Sequence, residues 1–416
     1  MNNGPLKPGY KQTEVGVIPE DWEVRTIGEL GNVVRGGSPR PAGDLRYFNG
    51  TFIPWLTVAA LTNIPDNQLR VSETVGHLTA EGAKHSRTLV NNTLIIANSG
   101  ATLGVAKLLD ITCCANDGIA AIINQSFGDK EFICHYVNTR TKYLRDVVAT
   151  GNGQPNLNTT LLKKIHIPFP STEEQRAIAA VLSDVDALLA KLDQFIAKKR
   201  DLKLATMQQL LTGKTRLPGF SGEWEVKMLG DVVQIFSGGT PKTSNPSYWN
   251  GSIKWCTPTD ITSCAGKYLM ETHRSITHEG LASCSARLLP VGSLLLCSRA
   301  TIGELKIAGE VICTNQGFKS LICNSDVSNE FLYYKLVTMK SQMIERAIGS
   351  TFLEISKKDT AILEITIPSY DEQTAIATIL SDMDAEIAAL ETRRDKTRDI
   401  KQGMMQELLT GRIRLV

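Results

Sequence analysis

Residues 171–213 read STEEQRAIAAVLSDVDALLAKLDQFIAKKRDLKLATMQQLLTG, and their spacing predicts a single long helix. Ile178, Val181, Leu182, Val185, Leu188, Leu189, Leu192 and Ile196 recur three and four apart, on one helical face. Ser171 followed by Glu174 is the pattern of a capping box, in which the hydroxyl accepts an orphan amide and the carboxylate reaches back. Pro168 and Pro170 keep the preceding chain out of the helix. Glu173 and Glu174 sit at the positive end of its dipole, and Gly213 supplies the stop. At 1.5 Å per residue such a helix is a rod of roughly 60 Å.

The rod is written twice. Residues 369–411, SYDEQTAIATILSDMDAEIAALETRRDKTRDIKQGMMQELLTG, open with the same box, Ser369 and Glu372, after Pro368. EEQRAIAAVLSDVDA matches DEQTAIATILSDMDA, and MQQLLTGKTRL matches MQELLTGRIRL. Gly403 stands where the first copy has Ala205, a loss of about 1 kcal/mol in helix propensity that a packed partner can offset. Each apolar stripe must be buried. The economical arrangement is one rod against the other, antiparallel, at the shallow crossing angle that mixed three-four spacing favours. The middles of the rods are polar, KKRD at 198–201 and TRRDKTRD at 392–399, and serve either as a solvated face or as a surface for a third protein.

The duplication extends to what precedes each rod, at an offset of about 200 residues. DWEVRTIGEL returns as EWEVKMLGDV, so Trp22 answers Trp224; RGGSPR returns as SGGTPK, and YFNGTFIPWLTV as YWNGSIKWCTPT. ANSGATLG matches CSRATIGE, ANDGIAAI matches TNQGFKSL, and IHIP returns as ITIP before the second rod. Residues 1–20 read as an irregular lead-in. Beyond them, short apolar runs bounded by Asn, Gly and Pro read as strands. A helix over 131–149 interrupts them and recurs around residues 329–347. The fold class is α+β: two β-rich heads joined by two long antiparallel helices, a tandem duplication with pseudo-two-fold symmetry. The corresponding domains are residues 1–170, 171–213, 214–368 and 369–416. Frame residues match between copies, among them the Gly-Gly-Ser/Thr-Pro turn and an Asn-Gly turn at 49–50 and 250–251, whereas 63–87 shares little with 267–287. One mounting is used twice to read two different things.

A length of 416 residues fits roughly two to four domains, and 42% hydrophobic residues suffice for sizeable cores. A net charge of +2 is low for a lone DNA binder, so a nucleic-acid role needs a local patch or a helping subunit. The N-terminus lacks a targeting signal, and no run approaches the ~18 apolar residues of a membrane span. Nine scattered cysteines fit reduced thiols of the cytoplasm.

Several motif look-alikes dissolve on inspection. Gly213-Lys214-Thr215 resembles the end of a phosphate-binding loop, but Gln208 occupies the place of the first glycine and a helix precedes it. Asn245-Pro246-Ser247-Tyr248 lacks the second proline of an adenine-methyltransferase loop and reads as a turn. There is no Cys-x2-Cys pair for zinc, and the duplicated carboxylates Asp184/Asp186 and Asp382/Asp384 read as surface or interface residues. No catalytic or metal-binding residues emerge. The chain reads as a non-enzyme that binds no cofactor itself.

What remains are the loops of the heads. Around the first Gly-Gly turn stand Arg35, Ser38 and Arg40, and around the second Ser237, Thr240 and Lys242. Asn98, Ser99 and Thr102 answer Arg299 and Thr301; Asn116, followed by Asp117, answers Asn315 and Gln316. The loop GNGQPNLN at 151–158 adds Asn152 and Gln154. Such side chains hydrogen-bond phosphates and base edges, though each is also an ordinary turn or cap former.

Two variable heads, two near-identical rods carrying EEQRAIAAVLSDVDA and DEQTAIATILSDMDA, the LLTGK and LLTGR ends, and the WEV…GG[ST]P openings together resemble the specificity (S) subunit of type I restriction–modification systems. The resemblance covers essentially the whole chain. It implies that each head reads one half of a split site in double-stranded DNA. It further implies that the helices act as a ruler and dock two methyltransferase (M) subunits, with restriction (R) subunits completing the endonuclease. S-adenosylmethionine, ATP and Mg would then belong to those partners. A rigid helix pair would place the half-sites about one turn of DNA apart, ~34–36 Å. A scaffold or decayed copy that binds no DNA is the alternative.

Overall fold

The computed structural model describes residues 6–149, 155–347 and 353–415. It contains two helices of 39 residues, Thr172–Leu210 and Tyr370–Leu408. The chain divides into two compact units, residues 1–196 with 390–416 and residues 197–389. Each unit thus combines one head, the first half of the helix that follows it, and the second half of the other helix.

Within each unit the helix halves run antiparallel. In the first, Lys401 reaches the buried Asp186 at 2.6 Å and Arg394 lies 3.7 Å from Asp193. In the second, Lys203 pairs with Asp384 and Lys199 with Glu386 at 2.7 Å. Part of the polar middle of the rods is therefore used between helices.

The heads are layered. A five-stranded sheet in the first runs in the order Asn32–Arg35, Ile119–Ile123, Leu94–Ala97, Ala106–Leu109, Arg70–Val71. The second repeats it with Val233–Ser237, Phe318–Cys323, Leu294–Cys297, Leu305–Ala308 and Tyr268–Leu269. Leu94 and Ile96 face a core that includes Ile178, Leu182, Leu408 and Leu409 from the helices. Ile95 and Ala97 face the opposite core, with Leu56, Leu89 and Cys113 of a smaller sheet. Burial on both faces explains why LIIA and LLLC are unbroken apolar runs rather than alternating ones. The strand Glu23–Thr26 pairs with His166–Phe169, and Glu225–Met228 with Glu364–Ile367. Each head is thereby tied off beside its helix.

The residues read as a capping box do something further. Glu174 N donates to Ser171 Oγ at 3.2 Å, as the box requires. The Glu174 carboxylate, however, is fully buried and accepts from Trp22 Nε1 at 3.0 Å and from Arg414 Nε at 2.6 Å. Its counterpart Glu372 takes both prongs of Arg216 at 2.6 Å. In each unit the arginine just past one helix thus returns to the start of the other, three residues after the glycine that ends its own. Gly411 is in the left-handed region at φ 70, and a Cβ there would collide with Pro19 at 2.5 Å and stand 3.1 Å from the Trp22 ring, while one on Gly213, at φ 68, would touch the Trp224 ring at 3.4 Å. Helix termination against a tryptophan therefore accounts for both TGK/TGR motifs. Gln175 and Gln373, also buried, accept from Asp129 N and Ser328 N at 2.7 and 2.9 Å and donate to Pro170 O and Pro368 O. They dock the start of each long helix on the N-terminus of an earlier helix of its head, Lys130–Thr139 or Asn329–Thr338.

Three local expectations change. The lead-in is a hairpin, Tyr10–Thr13 against Gly16–Pro19, and Tyr10 Oη donates to Gly411 O at 3.0 Å. Asn49-Gly50 and Asn250-Gly251, expected as turns, lie inside the strands Phe48–Leu56 and Trp249–Cys256, where the register shifts. The bulge brings each glycine against the backbone at the end of its paired strand, Leu78-Thr79 or Ile276-Thr277, which leaves no room for a side chain. The helix expected over 131–149 breaks after Lys130–Thr139 into a short helix and a π-turn at Leu144–Val148.

In the helices Lys130–Thr139 and Asn329–Thr338, His135 and Tyr334 are equivalent. Tyr334 Oη donates to Asp384 Oδ2 at 2.6 Å. His135 Nε2 and Asp186 Oδ2, the corresponding atoms of the first unit, are buried without partners. Burial pulls the His135 pKa down from 6.5 to about 4. The folded state therefore favours the neutral ring, and the unfolded chain takes up the proton first as pH falls. Stability present above about 6.5 should be lost progressively toward about 4, by about 3 kcal/mol in all. Melting of the first unit followed from pH 7 to 4 checks this. His135→Tyr, the residue of the second unit, should flatten the acid slope, and an undiminished slope would place the titrating group elsewhere.

Candidate nucleic-acid interface

Strand register gathers the candidate loops. Arg35 pairs with Ala120, and Ala97 with Ile119. The chain leaving these strands as Gly36-Gly37, entering them as Asn116-Asp117-Gly118 and turning through 98–104 therefore meets at one end of the sheet. Arg87, at the start of a strand pairing with Ala115, joins the same end and donates from Nε to Arg35 O at 2.7 Å. Leu157 N donates to Asn98 O at 2.8 Å, so the chain leaving the 151–158 loop returns there too. The second head repeats the arrangement: Ser237 pairs with Lys319, Cys297 with Phe318, and Ile355 N donates to Ser298 O at 3.1 Å.

The Gly-Gly pair makes this convergence possible. A Cβ on Gly36 would collide with the carbonyl oxygens of Ala115 and Asn116, and one on Gly238 with those of Thr314 and Asn315. Gly37 N and Gly239 N each donate to the facing strand, to Ala115 O and Thr314 O at 2.9 Å. The glycines are needed by the frame, and the residues after them, Ser38 and Arg40 or Thr240 and Lys242, bear the polar side chains.

In the first head the loops centre on Asp117. Ser38 Oγ donates to Asp117 Oδ1 at 2.7 Å, Arg35 donates from Nε to the Asp117 carbonyl, and Asn98 Nδ2 approaches the same carbonyl at 3.3 Å. The guanidinium groups of Arg35 and Arg40 each stand 3.7 Å from Asp117 Oδ2. The Ser38 hydrogen bond and the two arginines hold the Asp117 carboxyl below the usual carboxylate range, so it is ionised at neutral pH. Asn98, Thr102 and Asn116 hold buried side-chain oxygens that no described residue bonds. Ser99 lies beside Gly118. Asn152 and Gln154 fall outside the described residues.

In the second head Thr240 Oγ1 donates to Gln316 Oε1. Asn315 Oδ1 accepts from Gly317 N at 2.8 Å and shapes the turn. Ser237 and Lys242 are exposed on the same loop. Arg299 pairs with Glu354 at 2.7 Å, and that carboxylate also takes the buried Lys319 at 3.0 Å. Thr301 Oγ1 is buried without a described partner.

Sequence reasoning passed over Arg87, Lys319, Glu354 and Arg274. The last stacks 3.7 Å from the centroid of Trp249 and 5.3 Å from that of Trp255. Only strand register places the first three, which no local motif marks. Asn245–Tyr248, the methyltransferase look-alike, is a capped turn: Asn245 Oδ1 accepts from Ser247 N at 3.1 Å.

Two pseudo-equivalent, hydroxyl-, amide- and guanidinium-bearing loop clusters thus stand on a duplicated frame. A family profile described as the type I restriction modification DNA specificity domain matches residues 19–198 and 221–397, and the chain belongs to that family of specificity subunits, the components that recognise DNA in type I restriction–modification systems. Relatives include the MjaIX specificity subunit of Methanocaldococcus jannaschii, 40% identical over 39% of this chain and 38% of that protein. The putative MjaX specificity subunit of the same organism is 23% identical over 98% of this chain and 97% of its own length. Among solved structures, the S subunit from M. genitalium superposes with a TM-score of 0.60 over 97% of this chain and 99% of that one, at 16% identity. That likeness is one of fold. Among the described residues, no helix is long and apolar enough to cross a membrane.

Proposed function

We propose that this cytoplasmic chain reads a bipartite site in double-stranded DNA, one half with each loop cluster, and that it is not itself catalytic. Its two long helices set the spacer between the half-sites and dock two M subunits, to which R subunits add. S-adenosylmethionine, ATP and Mg act in those partners. The observation that carries this reading is the recurrence of one loop cluster on two divergent heads. Flanking subunits also answer the charge problem, since a chain of net +2 need not hold DNA alone.

The test is genome-wide mapping of methylated adenine in a host carrying the chain with its M subunit. A split motif with a fixed spacer is expected. Inserting one heptad into each long helix should change the spacer or abolish modification; an unchanged spacer at full activity would sink the ruler.

A further inference from the structure

The hydroxyl of each Gly-Gly-Ser/Thr-Pro turn holds one side chain of the facing loop. Ser38 Oγ donates to Asp117 Oδ1 at 2.7 Å and receives Asp117 N at 3.3 Å. Thr240 Oγ1 donates to Gln316 Oε1. Asp117 and Gln316 are equivalent, each following the asparagine whose amide bonds the smaller sheet, at Leu56 O and Cys256 O. The clamp is shared between the heads, whereas the residue clamped differs. Each clamped side chain keeps one polar end that no described residue hydrogen-bonds: Gln316 Nε2, and Asp117 Oδ2, which faces the guanidinium groups of Arg35 and Arg40 at 3.7 Å.

We propose that this clamped residue reads a base edge in each half-site, Asp117 taking an exocyclic amino group and Gln316 an acceptor. The proposal rests on the function proposed above. With Oδ1 occupied by Ser38, Asp117 offers an ionised acceptor alone, which pairs with cytosine N4 or adenine N6 in the major groove. A carboxylate repels phosphate, so it selects a base edge over the backbone, while Arg35 and Arg40 beside it suit the flanking phosphates. With Oε1 occupied by Thr240, Gln316 offers its amide hydrogens, which suit guanine O6 or N7 and thymine O4. The equivalent positions thus carry opposite hydrogen-bonding character on the same anchor. Ser38 and Thr240 are positioning residues.

The experiment uses the assembled complex of this chain with its M subunits and duplexes carrying the mapped methylation motif. Asp117→Asn keeps shape and the Ser38 bond but turns an N–H outward. Affinity for the original duplex should fall about ten- to a hundredfold. The preferred base pair should change at one position of the first half-site, with the second half-site intact. Gln316→Glu should do the converse in the second half-site, and Ser38→Ala should relax preference at the Asp117 position without replacing it. An unchanged motif and affinity in the Asp117 and Gln316 variants would overturn the proposal. So would an equal loss on every sequence with unchanged melting, which would make Asp117 a loop support. A wild-type complex with no sequence-selective binding would overturn the function itself, a different result from either.

Discussion

Trp22→Ala should destabilise the first unit by about 4 kcal/mol, within the range for removing a large buried aromatic, and leave the melting of the second unit in place. Trp22 is fully buried, and four separate pieces of chain depend on it. Its indole N–H satisfies Glu174 at the start of one helix. Its ring lies against Gly411 at the end of the other and under the guanidinium of Arg414, 5.7 Å from the centroid. Arg414 also bonds Asp21 at 2.8 Å, holding that carboxyl below its usual range. Removing the indole opens a cavity where hairpin, head and both helix ends meet, and withdraws a donor from a buried carboxylate. Trp224→Ala should cost less, because Trp224 is only half-buried and its Nε1 has no partner among the described residues. Calorimetry resolving two transitions checks both variants. Equal shifts would show that the tryptophans are interchangeable and that the Glu174 bond contributes nothing. Trp22→Phe separates the two contributions, since it retains most of the ring contact while losing the N–H.

That asymmetry marks where sequence stopped being informative. The duplication, both long helices and the pairing of Trp22 with Trp224 are legible because frame residues repeat in type and order. Glu174 is legible as a cap but not as a buried anchor, since capping geometry is local, whereas Arg414 is 240 residues away. The Gly-Gly turn is visible as punctuation; its reason, a carbonyl pressed against each first glycine, exists only once the sheet register is set. Candidate readers such as Ser38 and Thr240 stand out because they follow that punctuation. Lys319 does not, because it stands inside a matched apolar strand where the first copy has Ala120. Arg87 and Glu354 do not, because they reach the site through pairing across stretches that the two copies do not share. Asn49-Gly50 misleads for the same reason. Its left-handed asparagine suits a hairpin turn and a bulge equally, and only the strand across from it decides.

Exchanging one head should change one half of the recognised site and nothing else. The pairing of Glu23–Thr26 with His166–Phe169 places the cuts: residues 27–165 replaced by the corresponding stretch of another family member leave Trp22, both paired strands and both helices untouched. The incoming head must still present a backbone N–H to Gln175, as Asp129 does at 2.7 Å. It must also present apolar residues to Ile178, Leu182 and Leu408, as Leu94 and Phe132 do in the shared core. A head meeting those conditions brings its own loops at the sheet end, so the first half-site should become the donor's while the second half-site and spacer persist. Each altered base pair costs about 1–3 kcal/mol of binding, so two changed pairs lower affinity for the original site by about thirtyfold or more. Methylated-adenine mapping in hosts expressing parent and hybrid reads out both halves at once. Change in both half-sites would mean that the second head depends on the first for its reading, and that the repeated frame does not insulate the two readers.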